Sequence, residues 1–126
     1  VGTVDRLYTR IATVESAAVA QSTFTIDLTQ IASMLRNATG RSLCLIDEFG
    51  KGTSPVDGVA LLTSVIRELV ARGCRAAVVL HFHEIFHEGL VDPSHPSIAA
   101  YRMDVLPSAE DEGDATPLFK LRKGTA

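Results

Sequence analysis

The sequence predicts an α/β domain with a mostly parallel sheet flanked by helices and an antiparallel hairpin at its C-terminal end. Residues 43–82 contain two apolar runs separated by a segment of helical periodicity, an order typical of a parallel strand–helix–strand unit. A second helical pattern precedes this unit at residues 22–38. Two short strand-like segments, residues 101–106 and 118–121, are joined by a polar loop and predict the hairpin.

The first 40 residues contain one predicted helix. Residues 1–21 alternate too weakly to decide between a strand and irregular structure. From Ser22 onward, apolar side chains recur at helical spacing, and Gly40 is a stop signal. The predicted apolar stripe of this helix consists of Phe24, Leu28, Ile31, Leu35 and Ala38.

The strand–helix–strand unit is bounded by its turn residues. Residues 43–46 are apolar and predict a strand that is buried on both faces. A glycine-containing loop, residues 50–53, follows this strand. Pro55 at the first helical position and Gly73 after the last one predict the bounds of the next helix. Residues 76–82 predict a second buried strand.

Composition is that of an ordinary globular domain, or of a piece of one. Of the 126 residues, 46% are hydrophobic and 21% are charged. The net charge of -3 provides no basic surface for a nucleic-acid backbone, so we expect any DNA contact to come from other domains. No apolar run approaches the roughly 20 residues that span a bilayer, so we expect no membrane partner. Cys44 and Cys74 lack a disulfide or zinc spacing, which favours reduced packing residues.

Asp47 and Glu48 follow the first predicted strand directly. Because ligands bind outside the carboxyl ends of parallel strands, both acids are expected at the ligand edge of the sheet. Apolar residues followed by Asp and Glu form the Walker B pattern of nucleoside triphosphatases, in which the Asp serves Mg²⁺ and the Glu can accept a proton from water. His81 is among the last residues of the next predicted strand and is expected at the same edge. The alternative is a strand whose acidic end meets solvent.

Ser22 and Thr23 lie at the start of the first predicted helix. Free backbone N–H groups and the helix dipole favour an anion at such an end. Ordinary N-capping by one hydroxyl explains the same residues without any ligand. The sequence leaves both interpretations open.

Residues 83–87 match the zinc-protease pattern, with His83 and His87 one helical turn apart and Glu84 as the base. The third His of the extended pattern would fall on Pro93. A zinc hydrolase is therefore the weakest of the functional hypotheses.

Two phosphate-binding patterns fail in this chain. Pro55 stands at the third glycine position of the dinucleotide fingerprint. A Walker A loop would need Gly at the position of Leu45 and a hydroxyl residue at the position of Gly52. No other stretch of the sequence fits that loop.

Taken together, these motifs resemble the ATPase domain of the MutS family of mismatch-repair proteins, an ABC-type branch of the P-loop ATPases. The resemblance runs over nearly the whole chain. Residues 1–126 are therefore expected to be a partial MutS-type ATPase domain with signature-motif, Walker B, D-loop and switch-histidine segments. The matching segments are Asp5-Arg6-Leu7-Tyr8-Thr9-Arg10-Ile11, Gln21-Ser22-Thr23-Phe24, Asn37-Ala38-Thr39, residues 42–58 and His81.

Within the family, three segments are most similar to the meiotic, fifth MutS homologue of eukaryotes. This finer resemblance implies a role in mismatch repair or meiotic recombination and a location in the nucleus. The three segments are Ile26-Asp27-Leu28, residues 47–53 and Thr116-Pro117-Leu118-Phe119-Lys120-Leu121-Arg122.

The resemblance implies a role for each candidate residue. Asp47 is implied to orient Mg²⁺, Glu48 to polarise the attacking water, and His81 to sense the γ-phosphate of ATP. The signature-motif residues Ser22 and Thr23 are implied to bind, in trans, the ATP held by the other subunit. The residues implied to form the D-loop at the dimer interface are Gly52, Thr53 and Asp57.

The resemblance also implies partners and limits. ATP and Mg²⁺ are the expected cofactors, a second MutS-homologue subunit is expected in a homodimer or heterodimer, and DNA is expected to bind through domains absent here. The chain is expected to begin downstream of the Walker A loop and to stop before the helical dimerisation region, so the isolated fragment is expected to be inactive. Ala20 and Leu80 replace a common glycine and a usual threonine of the family. The alternative is a non-catalytic dimerisation or interaction remnant.

Overall fold

The computed structural model describes residues 2–11, 20–106 and 116–125, with the side chains of 20–23 and 116–117 outside that description. The chain forms two compact units, Val1–Val91 and Asp92–Ala126. None of the helices in the described ranges is both long and apolar enough to cross a membrane.

The first unit is built on a three-stranded parallel sheet. Its strands are β1 (Leu7–Arg10), β2 (Leu43–Asp47) and β3 (Arg75–Val79), in the order β1-β2-β3. The last paired residues are Asp47 of β2 and Val79 of β3, so the carboxyl ends of the strands share one edge. The prediction of an α/β fold with a parallel sheet is confirmed, and the undecided N-terminal segment contains a strand.

The described residues form three helices beside the sheet: α1 (Ala20–Asn37), α2 (Pro55–Ala71) and α3 (Glu84–His87). The first starts two residues before the predicted start, and it ends before Gly40, as expected. The second starts at the predicted proline, since Ser54 caps it by accepting the backbone N–H of the third helical residue. The third is a single turn.

The core of the first unit lies between α1, α2 and alternate side chains of β2. Cys44 and Ile46 are buried, whereas Leu43 and Leu45 on the opposite face are only half-buried. Helical residues complete this core, together with Ala38, which directly follows α1: Ile31 and Met34 from α1, and Leu62, Val65 and Leu69 from α2. Burying such side chains contributes roughly 1.5–3 kcal/mol each, so this one-sided core holds the sheet against the two helices.

Two strand predictions need correction. The strand at residues 43–46 was expected to be buried on both faces, but it is buried on one. The strand expected at residues 76–82 ends at Val79 and is largely exposed, with Val79 itself 58% exposed. The physical reason is that β3 is an edge strand and that the described elements cover only one face of the sheet. Phe82 leaves the strand and is buried in the core.

The second unit contains the predicted antiparallel hairpin. Strands β4 (Tyr101–Leu106) and β5 (Thr116–Lys123) pair with a register irregularity between Met103 and Val105. The second strand is longer than the predicted segment 118–121. The acidic tract between the strands, Glu110, Asp111, Glu112 and Asp114, lies outside the described residues.

Candidate functional site

The two acids predicted from the sequence lie at the carboxyl edge of the parallel sheet. Asp47 is the last residue of β2, and Glu48 follows it with φ 49°, in the left-handed region. The Glu48 N–H donates to the Val79 carbonyl (2.9 Å), which extends the β2–β3 ladder by one bond. The positive φ turns the chain out of the strand at Glu48 and leaves its carboxylate about one-third exposed.

Lys51 pairs with the Glu48 carboxylate. Its ammonium group donates to Glu48 Oε2 at 2.6 Å, and both side chains are partly exposed. This hydrogen bond is the largest cause that lowers the pKa of Glu48. Partial burial of the carboxylate raises the pKa, whereas the charges of Lys51, His81 and Arg10 lower it further. Glu48 is therefore ionised at neutral pH, the state that a proton acceptor requires.

His81 lies two residues beyond the end of β3, close enough to Glu48 for its charge to help lower that residue's pKa. Its ring packs against Phe82 with centroids 4.1 Å apart. The Nδ1 atom of His81 is buried and has no hydrogen-bond partner among the described residues. A buried ring nitrogen without a partner is costly, so this atom is suited to a polar group other than those of the described residues.

The loop after the acids is held by a close glycine contact. A Cβ atom at Gly58 would lie 2.8 Å from the Gly50 carbonyl oxygen and 2.7 Å from Phe82 Cζ. Gly50 also has a φ of 100°, which favours glycine. Only glycine at position 58 lets the first turn of α2 approach this loop. The same contact joins the loop of Glu48 to the residue that follows His81.

Gly52 brings the tip of this loop against α1. A Cβ atom there would lie 3.0 Å from Phe24 Cβ. The backbone of Ser22 and Thr23 lies in the first described turn of the same helix. Their side chains lie outside the described residues. The loop predicted as a D-loop thus packs close to the helix end predicted as the signature motif.

The other predicted D-loop residues have local contacts. The Asp57 carboxylate accepts a hydrogen bond from Ser54 Oγ (2.7 Å), and the Asp57 N–H donates to the same oxygen (3.2 Å). Asp57 therefore completes the N-terminal cap of α2. Thr53 is half-buried in the loop before it.

A buried ion pair beside the acids was not predicted from the sequence. Arg10 at the end of β1 donates through Nη2 to Asp27 of α1, and through Nη1 to the Asp47 carbonyl (2.6 Å). The signal for Asp27 was present, because it lies three residues after Phe24 and four before Ile31, on the apolar stripe of the helix. An acid in that position calls for a buried cationic partner.

The zinc-protease pattern does not form a metal site. His87 is the last residue of the one-turn helix α3, and His83 is the residue that precedes this helix. Across the described part of the chain, no group of three or more His, Cys, Asp and Glu side chains could hold a metal ion. The zinc hydrolase hypothesis is therefore not supported.

This chain is similar in sequence to a known family model and to several known proteins. The family model for MutS domain V matches residues 1–126. The chain is 37% identical over 114 residues to the DNA mismatch repair protein MutS of Ruminiclostridium cellulolyticum, covering 88% of the chain and 13% of that protein. It is 35% identical over 129 residues to the MutS of Chloroflexus aurantiacus and 38% identical over 128 residues to that of Sorangium cellulosum, covering 100% of the chain and 13% of each relative.

The predicted nuclear location is wrong. These relatives are bacterial proteins, and bacterial cells have no nucleus. The prediction depended on three short segments that are similar to a eukaryotic homologue, whereas the bacterial relatives match 88–100% of the chain.

The match covers the whole chain, and the central parallel strand, β2, ends at Asp47, the first of the two acids that the sequence motifs predict. The chain spans only 13% of the length of the relatives named above, so it corresponds to a small part of such a protein. The chain belongs to the MutS family.

Proposed function

We propose that this chain is part of the ATPase of a DNA mismatch repair MutS protein and that it contributes the residues for ATP hydrolysis. Glu48 accepts a proton from the attacking water, Asp47 holds the Mg²⁺ that accompanies ATP, and His81 contacts the γ-phosphate. The observation that carries this proposal is the meeting of the two acids and His81 at the carboxyl edge of a parallel sheet.

The residues present fit Mg²⁺ and a nucleotide. Mg²⁺ prefers oxygen ligands and commonly uses one or two carboxylates, with waters and substrate phosphates completing its shell. Asp47 at the strand end supplies such a carboxylate, and Nδ1 of His81, which has no partner within residues 2–11, 20–106 and 116–125, supplies a polar atom for a ligand. The metal, when bound, neutralises charge on the phosphates. Glu48 directly follows Asp47, is ionised at neutral pH and could take up the proton of a water molecule.

The remaining parts of the site are proposed to come from the parent protein. A P-loop NTPase fold requires a phosphate-cradling loop, which the sequence of residues 1–126 does not contain. In this proposal the signature residues Ser22 and Thr23 face the ATP of a second MutS subunit, and Gly52, Thr53 and Asp57 lie at that interface. The contact of Gly52 with α1 supports this grouping. DNA binding and clamping are assigned to other domains, in line with the net charge of -3.

Mismatch repair is the proposed role of the parent, because the relatives named above are DNA mismatch repair proteins. A role in meiotic recombination stays a prediction from the three short segments alone.

A non-catalytic dimerisation or interaction module is the second candidate. One observation favours it: Lys51 Nζ donates a hydrogen bond to Glu48 Oε2 at 2.6 Å, so the carboxylate already has a partner. A base that is held by a lysine must exchange this partner for water before it can act. Because both side chains are partly exposed, the pair is weak and such an exchange costs little.

The decisive experiment is Glu48→Gln in the full-length parent, with its partner subunit and DNA present. The amide keeps the shape of the side chain but cannot accept the proton, so ATP binding is expected to persist while single-turnover hydrolysis falls about 10²–10⁴-fold. Glu88→Gln, at an exposed position after α3, is the matched control and should hydrolyse at the wild-type rate.

Mixing mutant and wild-type subunits assigns the loss to one site. Hydrolysis at the ATP held by the mutant subunit should be lost, whereas the other site should retain it. Unchanged hydrolysis at the mutant subunit's own site would refute the catalytic role of Glu48. A wild-type site that binds but never hydrolyses ATP would support the non-catalytic module.

A further inference from the structure

The Arg10–Asp27 ion pair joins β1 to α1 inside the first unit. Only 5% of Arg10 and 8% of Asp27 is exposed. Taking two charges out of water is expensive, and apolar side chains of similar size are often as good or better for stability. The Nε–H of Arg10 is also buried without an acceptor among the described residues, which destabilises the folded chain further. Stability alone is therefore a poor explanation for this pair.

The second contact of Arg10 points to another explanation. Its Nη1 donates to the Asp47 carbonyl at 2.6 Å. That carbonyl belongs to the same peptide unit as the Glu48 N–H, which donates to Val79 at 2.9 Å. The peptide between Asp47 and Glu48 is thus held from both sides, by Arg10 on its oxygen and by β3 on its nitrogen.

This peptide directly precedes a left-handed residue. Glu48 has a φ of 49°, a conformation that is unfavourable for a residue other than glycine. Rotation of the preceding peptide would let Glu48 relax into ordinary extended backbone and would change the direction of its carboxylate. The two hydrogen bonds oppose that rotation.

We propose that Arg10 and Asp27 are positioning residues for Glu48. Asp27 fixes the guanidinium, Arg10 fixes the Asp47–Glu48 peptide, and that peptide sets the direction of the Glu48 carboxylate. Neither residue touches the reacting atoms. The inference deepens the proposed function, because it assumes that Glu48 is the base, and it ties the orientation of this base to helix α1.

The test separates positioning from stability by removing the charges together. Arg10→Met with Asp27→Leu replaces the ion pair by apolar side chains of similar length, so no charge is left buried and the fold is expected to be retained. Arg10→Lys is the second variant, since a lysine keeps the charge but lacks the planar fork that serves two acceptors. The matched control is Arg6→Lys, at an exposed arginine just before β1.

All variants are measured in the full-length parent with its partner subunit. Thermal unfolding checks the fold, and ATP affinity and single-turnover hydrolysis are measured separately. Both test variants should bind ATP within about threefold of wild type but hydrolyse it about 10–100-fold more slowly, because a misplaced catalytic group costs up to about 10²-fold. In a Glu48→Gln background the same changes should have no further effect on the residual rate, since they act through Glu48.

Two outcomes overturn the inference. One is a folded variant, of either kind, whose single-turnover rate stays within twofold of wild type. The other is a rate loss of the same size in the Glu48→Gln background, which would mean that Arg10 acts independently of Glu48. If Glu48→Gln abolishes turnover while the Arg10 variants keep it, only this inference fails. If Glu48→Gln itself leaves turnover unchanged, the proposed function fails and this inference with it.

Discussion

Gly58→Ala should both destabilise the first unit and disturb the candidate site. The new Cβ would lie 2.8 Å from the Gly50 carbonyl oxygen and 2.7 Å from Phe82 Cζ. Real Cβ atoms essentially never come within 3.0 Å of heavy atoms outside their own and adjacent residues, so the alanine or one of these two groups must shift. The Phe82 ring is buried and the Gly50 oxygen is backbone, so neither can move away without cost.

The magnitude follows from two opposing effects. Overpacking of a filled core costs about 1–3 kcal/mol, and two clashes with poorly movable groups place Gly58→Ala near the upper end. Alanine gains up to about 1 kcal/mol over glycine in a helix, and less in the first turn, where Gly58 lies. The net expectation is a loss of about 2 kcal/mol, or a fall in Tm of about 8–16 °C for a unit of this size.

Thermal unfolding of the 126-residue protein measures this loss, with Gly40→Ala as the matched control. A Cβ at Gly40 would have ordinary contacts of 3.6 Å with two carbonyl oxygens, and Gly40 is not in a left-handed conformation. That variant should be neutral or more stable by up to about 1 kcal/mol, because alanine has less freedom in the unfolded chain. The reasoning is refuted if Gly58→Ala is as stable as wild type, or if both variants lose the same stability.

The sequence was sufficient to predict the main elements. The apolar stripe of α1, the Pro55 start of α2 and the run at residues 43–46 are local signals, and each produced an element where it was expected. The exposure of β3 could not be predicted this way. An apolar run such as residues 76–82 shows that a segment can be buried, but which face is covered depends on neighbouring elements that the run does not encode.

The candidate site likewise contains residues that a local sequence pattern predicts and residues whose role depends on distant contacts. Asp47 and Glu48 were found because an acid pair directly after an apolar strand is a local pattern with a chemical reason. Arg10 was not singled out, because its significance comes from a contact with Asp27, 17 residues away, and with the Asp47 carbonyl, 37 residues away. The left-handed turn at Glu48 was not visible either, since it depends on hydrogen bonds from two other strands.

Two further predictions concern ionisable side chains. In the folded protein, Cys44 should resist alkylation at pH 8, because burial raises the pKa of its thiol to about 11. Mass spectrometry should show that the half-buried Cys74 is modified first. Equal labelling of both cysteines would contradict this prediction. Lys51→Met should raise the pKa of Glu48 toward its ordinary value of 4.5, because the hydrogen bond that lowers it most is lost. A lowered pKa means that the pair stabilises the fold fully above about pH 4.5 and ceases to do so as the pH falls through the folded pKa, so the variant should lose stability less steeply than wild type below pH 4.5. NMR titration of the Glu48 carboxyl group follows this directly, and a midpoint that does not move would show that Lys51 does not hold the carboxylate in solution.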